Sequence, residues 1–414
     1  MPDGSDDPTL KVVSGIDKIA PEAWDACARP RAPGSNPFLA HAFLTACEAS
    51  GSAVRDTGWL AQHLVAEGRG GQVLGAVPLY LKGHSYGEYV FDWSWADAYE
   101  RAGGHYYPKL QSAVPFTPVT GPRLLLHPEA SSAVAEALVR GLVEVTRRSK
   151  ASSAHVTFPT TEEWELFGRN GFLLREGQQF HWHNPGYKSF DDFLAQLSSR
   201  KRKMIRKERA QVAAMGIRVE TLNGAAIKPR HWDAFFDFYM DTAGRKWGQA
   251  YLTRDFFTRL GETMADSVVL VIAYRDGTPI AGALNLAGAD ALYGRNWGAV
   301  EHHPFLHFEV CYYAAMDCAI ERGLARVEAG AGGSHHKPAR GYMPAATYSA
   351  HYIPDENFAG AIARFLKSER RQIAAARDEI ARQGPFKRDN AGEFVTGIAS
   401  DGTDAQGRRF EEEP

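Results

Sequence analysis

The residues best suited to moving protons lie in one short run, Glu328-Ala329-Gly330-Ala331-Gly332-Gly333-Ser334-His335-His336-Lys337-Pro338-Ala339-Arg340. One carboxylate, two imidazoles, an ammonium and a guanidinium fall within 13 residues, just after what reads as a short strand ending near Glu328. The glycines let backbone N–H groups come close to a bound group. Such a mixture suits proton transfer beside a polarised carbonyl or phosphate; a plain polar turn is the alternative. No helical pattern follows at once, so the run is neither a P-loop nor a dinucleotide fingerprint. The pairs His335-His336, His302-His303 and His181-x-His183 lack helical metal-ligand spacing, and no metal site is expected. Serine hydrolysis finds no Gly-x-Ser-x-Gly elbow to support it.

A second set is cationic. Arg200 to Arg209 holds seven basic residues and one Glu, net +6, in a chain of formal charge -2, which leaves -8 elsewhere. That concentration points to a local anion site and argues against a generally basic DNA binder. Ser189 can cap a helix reaching about Val212, with Asp192 in its first turn. At 100° per residue Phe190, Phe193, Leu194, Leu197, Met204, Ile205 and Val212 share one face, while Arg202, Lys203, Arg206 and Arg209 lie opposite. Lys201 lands on the apolar stripe, so either the helix breaks near Ser198-Ser199 or this lysine points into a site. The patch is either a solvated face or a phosphate-binding one.

The third set sits in Gly83 to Arg123, a long irregular segment with nine aromatics and four prolines. Loops of this length tend to be functional or disordered, and the aromatics make disorder the poorer choice. His84, Glu88, Asp92, Tyr106, Tyr107 and Lys109 can line a pocket there, or the aromatics can pack a structural loop. Leu306 to Arg322 is apolar nearly all round and reads as a buried helix. Its first turn carries His307 and Glu309, and the helix start should stabilise the Glu309 anion, which suits an orienting role.

These residues are positioned by two stretches of similar grammar, helices first and then strands. In the first, a helix from Asn36-Pro37 to about Glu48 precedes a strand pair, Trp59 to Ala66 and Val73 to Leu81. In the second, helices Phe190–Val212 and His231–Ala243 precede strands Val268–Tyr274 and Pro279–Leu286 around Asp276-Gly277. The expected fold class is α/β (α+β), a mixed sheet flanked by helices in each half. The expected partition is a disordered N-terminus over 1–9, a first domain over 10–180 with the aromatic insertion 83–123, and a second domain over 181–383 with the basic helix 189–212 and a C-terminal helix. A disordered tail is expected over 384–414. With 414 residues, 44% hydrophobic and 23% charged, the chain reads as globular. No apolar run approaches the roughly 18 residues of a membrane span. The acidic start, Asp3, Asp6 and Asp7, argues against a secretory signal, so a cytoplasmic location is expected. Cys27, Cys47, Cys311 and Cys318 form no Cys-x-x-Cys pair and are expected to be inert thiols.

The run from Ser189-Phe190 through Glu220, with Leu197-Ser198-Ser199-Arg200-Lys201-Arg202 and Ile205-Arg206-Lys207, resembles the Fem-type peptidoglycan aminoacyl ligases, as does Ala273 to Gly282 followed by Tyr293-Gly294. Asn36-Pro37-Phe38-Leu39, Pro78 to Lys82, His84-Ser85-x-Gly87-Glu88-Tyr89-Val90-Phe91-Asp92 and Tyr106-Tyr107-Pro108-Lys109-Leu110 look like Fem-like peptidoglycan biosynthesis or recognition proteins. Leu306-His307-Phe308-Glu309, Arg340-Gly341 and Tyr348-Ser349-Ala350-His351 extend the resemblance, which spans about residues 36–355. One departure is local: where the family usually reads Gly-Ala-Gln-Gly-Glu-His-Lys, this chain has Gly330 to Lys337 without the carboxylate, and either His335 or His336 takes the histidine position.

The resemblance implies tandem GNAT-like acyl-CoA N-acyltransferase domains and transfer of an acyl or aminoacyl group to an amine-bearing acceptor, such as a peptidoglycan-precursor-like or small-molecule amine. The co-substrate would be aminoacyl-tRNA or acyl-CoA, with no bound cofactor. The Arg/Gln-x-x-Gly-x-Gly/Ala pyrophosphate loop of acetyl-CoA enzymes is not evident, which shifts weight towards tRNA. Acyl transfer to an amine needs a base, an oxyanion donor and an acid. Glu328, His335 or His336 would be the base, backbone N–H groups or Lys337 the oxyanion donor, and Tyr348 the acid. Lys201, Arg202, Arg206 and Arg340 would hold the donor. His84, Glu88, Asp92, Tyr106, Tyr107, Lys109, Tyr293, His307 and Glu309 would meet the acceptor. The alternatives are a non-catalytic glycan or peptide recognition module and an RNA- or anion-binding protein on the same scaffold.

Overall fold

The computed structural model describes residues 8–246, 250–333 and 335–388. Two compact units emerge, and neither is one stretch of chain. The first comprises residues through Gly177, Tyr251–Thr263 and Thr347–Gln372; the second comprises Gln178–Ala250, Met264–Ala346 and the chain from Ile373 onward. The linear division at 180/181 thus gives way to a discontinuous one. Tyr251–Thr263 belongs to the first unit because its apolar face packs there: the Phe256 ring meets Phe43 edge-on at 5.7 Å, and the Thr253 hydroxyl donates to the Ser50 carbonyl at 3.1 Å.

In the first unit the expected strand pair forms, but each strand is interrupted. His63–Glu67 pairs with Val73–Val77, and Trp59–Ala61 pairs with Leu79–Lys82, so the hairpin feeds two sheets. The interruption falls at Gln62 and at Pro78, which has no N–H to give a ladder. Thr9–Val13 joins the first of these sheets against His63–Glu67, so Thr9 is ordered strand and not part of a frayed end. Residues 1–7 of that expectation lie outside the described residues. Lys109–Ser112 runs parallel to Ala154–Thr157, and the crossover between them contains the helix Ser132–Arg148. Ser349–Tyr352 closes on Ala154–Thr157 in antiparallel register. The segment 83–123 is therefore not irregular throughout: it contains the helix Trp93–Arg101 and the strand Lys109–Ser112.

The second unit repeats this plan. Ile217–Asn223, Val268–Arg275, Thr278–Ala287 and Ala291–Ala299 form an antiparallel meander, with Asp276 and Gly277 both at positive φ in a tight turn. Arg326–Glu328 then lies parallel to Ala291–Ala299, reached through a helical crossover, and pairs antiparallel with His181–His183. The crossover is not one regular helix. Leu306–Phe308 is α-helical, Glu309–Tyr313 is a π-helical turn and Ala314–Glu321 is α-helical again. Its apolar face packs with Trp182, Phe193, Leu197 and Ile205 in the unit's core.

The basic helix breaks, as the misplaced Lys201 allowed. Phe190–Gln196 ends in extended Leu197, and Ser199–Ala214 begins after extended Ser198. Ser189 caps the first piece, its side chain accepting from the Asp192 N–H while the Asp192 carboxylate accepts from the Ser189 N–H. The expected disordered tail is contradicted at its start. Phe386 is buried, Ser198 N–H donates to the Pro385 carbonyl at 2.9 Å and Lys387 N–H to the Gln196 carbonyl at 2.9 Å, so Pro385–Lys387 docks against the helix break. The rest of that expectation, from residue 389, lies outside the described residues. Cys27, Cys47 and Cys318 are buried and Cys311 is half-buried. Among the described residues no helix is long and apolar enough to cross a membrane.

Candidate functional site

Strand register gathers a polar row in the second unit. Glu328 faces His181 on one neighbouring strand and Tyr293 on the other, so the three side chains stand abreast on one face of the sheet. Arg326, two residues before Glu328, shares that face. Its Nε donates to Glu328 Oε1 at 2.9 Å, its Nη1 to Asp290 Oδ2 at 2.7 Å and its Nη2 to the Tyr293 hydroxyl at 3.2 Å. Two atoms are left over. Glu328 Oε2 and His181 Nε2 are buried, have no hydrogen-bond partner among the described residues, and lie 3.7 Å apart, beyond hydrogen-bond reach. Burying unpaired polar atoms is costly; Glu328 Oε2 is an acceptor, and His181 Nε2 is one when the ring proton sits on Nδ1.

The row's electrostatics favour a neutral imidazole. Burial holds His181 below the usual histidine range; Glu328 opposes that shift, and Arg326 and Lys337 reinforce it. His183 is pushed down to about 4 by burial, with His181 and Arg326 acting the same way. Lys337 is buried, donates to the Gly330 carbonyl at 2.6 Å, and is pushed down to about 8 by burial. The glycines of this turn are required in part by that lysine: Gly333 has φ +86°, and a Cβ there would meet Lys337 Cδ at 2.9 Å.

The other residues of the Gly-rich run have different surroundings. His335 is exposed. His336 Nε2 lies 2.8 Å from the Tyr312 hydroxyl, and its ring packs among His307, Phe308 and Tyr312. Arg340 is not an open cation. Its Nη2 and Nε donate to Glu208 Oε1 and Oε2 at 2.6 and 3.0 Å, its Nη1 to the His336 carbonyl at 2.9 Å, and its guanidinium lies 3.4 Å from the Phe308 ring centroid. Its charge is already matched, and its geometry fixes the segment. Glu309 accepts from Arg209 at 2.9 Å, and burial raises its carboxyl against that pull, the reverse of the shift expected from a helix start. On the basic helix Lys201 and Arg202 are half-buried, while Arg206 is exposed and donates to Asp191 at 2.8 Å.

Tyr348 and six expected acceptor residues belong to the first unit. Tyr348 lies against Trp164, ring centroids 4.6 Å apart. Lys109, wholly buried, donates to Ser85 Oγ and Glu88 Oε2 at 2.7 Å each and to Asp92. Tyr106 donates to Asp92 at 2.7 Å, and the Tyr107 hydroxyl is 2.9 Å from Ser85 Oγ. Burial opposes the Asp92 anion, but the charges of Lys109 and His155 and the hydrogen bonds from Lys109 and Ser85 together outweigh it and hold that carboxyl below the usual range; burial pushes Glu88 up to about 7. His84 is apart from this knot, its Nε2 3.0 Å from the Thr57 carbonyl. The expected acceptor set thus divides between the two units, with Tyr293, His307 and Glu309 in the second.

Sequence reasoning missed His181 and Arg326. Their signal was the polar–apolar–polar alternation of His181-Trp182-His183 and Arg326-Val327-Glu328, in which the central Trp182 and Val327 point into the core.

The FemAB-like family model, described as peptidoglycan biosynthesis/recognition, matches residues 15–388. No curated protein matches the chain. Among solved structures, FemX is similar at 14% identity and TM-score 0.54, covering 83% of this chain and 98% of its own. A conserved protein of unknown function from Bacteroides thetaiotaomicron VPI-5482 is similar at 11% identity and TM-score 0.50, covering 83% and 99%. A tandem GNAT protein from the clavulanic acid biosynthesis pathway shows 12% identity and TM-score 0.44, covering 83% and 98%. The likeness to FemX, with the mixed sheets and flanking helices of both units, shows an α/β fold of the FemX kind, and the chain belongs to the FemAB-like family of peptidoglycan biosynthesis and recognition proteins.

Proposed function

We propose that this protein is an N-acyltransferase that moves an aminoacyl group from aminoacyl-tRNA to a primary amine, such as that of a peptidoglycan precursor peptide. The observation that carries this reading is the unpartnered pair Glu328 Oε2 and His181 Nε2, two buried polar atoms 3.7 Å apart beside a Gly-rich turn, the imidazole nitrogen being an acceptor in the Nδ1–H tautomer. An amine nucleophile presents N–H donors to both. As its nitrogen attacks the ester carbonyl, Glu328 takes the proton it loses, the new C–N bond forms, and collapse of the tetrahedral centre breaks the C–O bond to the tRNA ribose. The proton then passes to the departing ribose oxygen. Lys337, with backbone N–H groups of the glycine turn, faces the developing oxyanion, while Arg326, whose Nη2 donates to the Tyr293 hydroxyl, fixes the Glu328 carboxylate. Arg202, Arg206 and Lys201 hold donor phosphates.

Salt dependence of binding distinguishes the donors. A tRNA meets many phosphates, so log affinity should fall steeply with log salt, and Arg202→Ala should flatten the slope by about one unit. Acetyl-CoA titrated under the same conditions should bind weakly or not at all. Tight, nearly salt-independent acetyl-CoA binding without tRNA binding makes the protein an acetyltransferase; binding of neither favours a recognition module.

A further inference from the structure

The run Arg200 to Arg209 contains one acid, Glu208. On the helix Ser199–Ala214 the neighbouring Arg206 is exposed, whereas Glu208 turns inward and meets Arg340, the two being 4% and 6% exposed. Both carboxylate oxygens are taken. Oε1 accepts from Arg340 Nη2, and Oε2 accepts from Arg340 Nε and from the Tyr313 hydroxyl on the π-helical turn. The pair therefore fastens three elements of the second unit: the basic helix, the π-helical turn and the end of the Gly-rich run.

A buried ion pair is weak evidence for stability, because the desolvation of two charges offsets their attraction and apolar replacements of similar volume are often as stable. What the pair supplies beyond an apolar contact is direction. Arg340 Nη1, the remaining arm of the fork, donates to the carbonyl of His336, the residue before Lys337, at 2.9 Å. The Arg340 N–H donates to the Lys337 carbonyl, also at 2.9 Å. One residue thus grips the peptide groups on both sides of Lys337, and from that backbone the buried ammonium reaches across the turn to the Gly330 carbonyl.

We propose that Glu208 is a positioning residue: by holding Arg340 it fixes both peptide groups of Lys337 and so aims that ammonium into the Gly-rich turn. The use of Lys337 at the oxyanion rests on the transferase reading; the aiming does not.

Two variants of the full chain separate aiming from stability. Glu208→Gln keeps the shape and removes the charge. The triple change Glu208→Leu, Arg340→Met and Tyr313→Phe removes both charges and the hydroxyl together, leaving no buried ion unpaired. Competitive labelling of Lys337 with trace acetic anhydride across pH, read by mass spectrometry, follows its titration without donor or acceptor. In wild type its midpoint should lie at about 8, a value set by burial, with Cys311 opposing and neither Glu208 nor Arg340 contributing. A shift on mutation therefore reports a change of position. Both variants should move the midpoint up by about one unit or more, towards the ordinary lysine value near 10.4. In transfer assays both should lose about 10-fold to 10²-fold in kcat, the scale of a misplaced group, with KM for charged tRNA unchanged. A Lys337 midpoint that stays put in either variant, a triple variant with the wild-type kcat, or a loss confined to KM would overturn the proposal. A midpoint that moves in both, in a protein whose wild type transfers nothing, would uphold the aiming and remove the transferase reading.

Discussion

Glu328 was legible because it sits beside an obvious glycine run, whereas its partner His181 lies 147 positions away and is brought to it only by strand pairing. Single-residue chemistry can be read along a chain; a row across three strands cannot. The same row predicts a pH effect. His183 is held at about 4 against an unfolded value near 6.5, so between those values the unfolded chain binds more protons than the native one. The stability contributed by the neutral, half-buried imidazole is full above about pH 6.5 and is lost as pH falls towards 4. Urea unfolding of wild type and His183→Gln across that window should show the variant gaining on wild type by up to about 1.4 kcal/mol per pH unit; a pH-independent difference would contradict the assignment. In the first unit, Lys109 was read as a pocket residue and is instead the wholly buried centre of an ionic knot. Lys109→Met leaves Asp92 buried without its ion-pair partner and Glu88 with only Lys82, 3.9 Å away, and should cost about 3–5 kcal/mol of stability. A cost below about 1 kcal/mol would show that solvent reaches the knot.

At the scale of elements, periodicity succeeded where one face dominates and failed where a bend intervenes. The Asp276-Gly277 hairpin followed from turn chemistry, and Lys201 on the apolar stripe allowed either a break near Ser198-Ser199 or a lysine pointing into a site; the helix breaks at Leu197-Ser198. The helix Trp93–Arg101 was hidden because aromatic and proline content outweighed its Trp95, Ala96 and Tyr99 spacing, and the π-helical turn at Glu309–Tyr313 has no sequence mark that we can name. The segment after the long helix was misread for a different reason: Pro385-Phe386-Lys387 has too few apolar residues to show a period, yet one large ring suffices to dock it. Phe386 contributes to the second unit's core and its segment pairs with the helix break. Phe386→Ala should therefore cost about 3–5 kcal/mol in denaturant unfolding, and a cost under 1 kcal/mol would mean that the docking is peripheral.

For the molecule as a whole, the tandem organisation was visible as a repeated grammar of helices and strands, but its true partition was not, since Tyr251–Thr263 and Thr347–Gln372 join the first unit through tertiary packing. Both units contain a parallel strand pair with a helical crossover, Lys109–Ser112 with Ala154–Thr157 and Ala291–Ala299 with Arg326–Glu328. In the first unit this pair borders the Lys109 knot; in the second it carries Glu328, which is where the proposed chemistry is assigned. The most direct test is transfer itself. Wild type and Glu328→Gln would be incubated with a radiolabelled aminoacyl-tRNA pool and a precursor peptide bearing a free amine, and the rate at which label enters an acid- and base-stable amide would be followed. We predict stable amide formation by wild type and a rate lower by about 10² or more for Glu328→Gln, with tRNA affinity unchanged and the variant folded at the assay temperature. Equal rates for the two proteins, or no transfer by wild type while it binds the charged tRNA, would contradict the assignment of Glu328 as the base of an aminoacyl transfer.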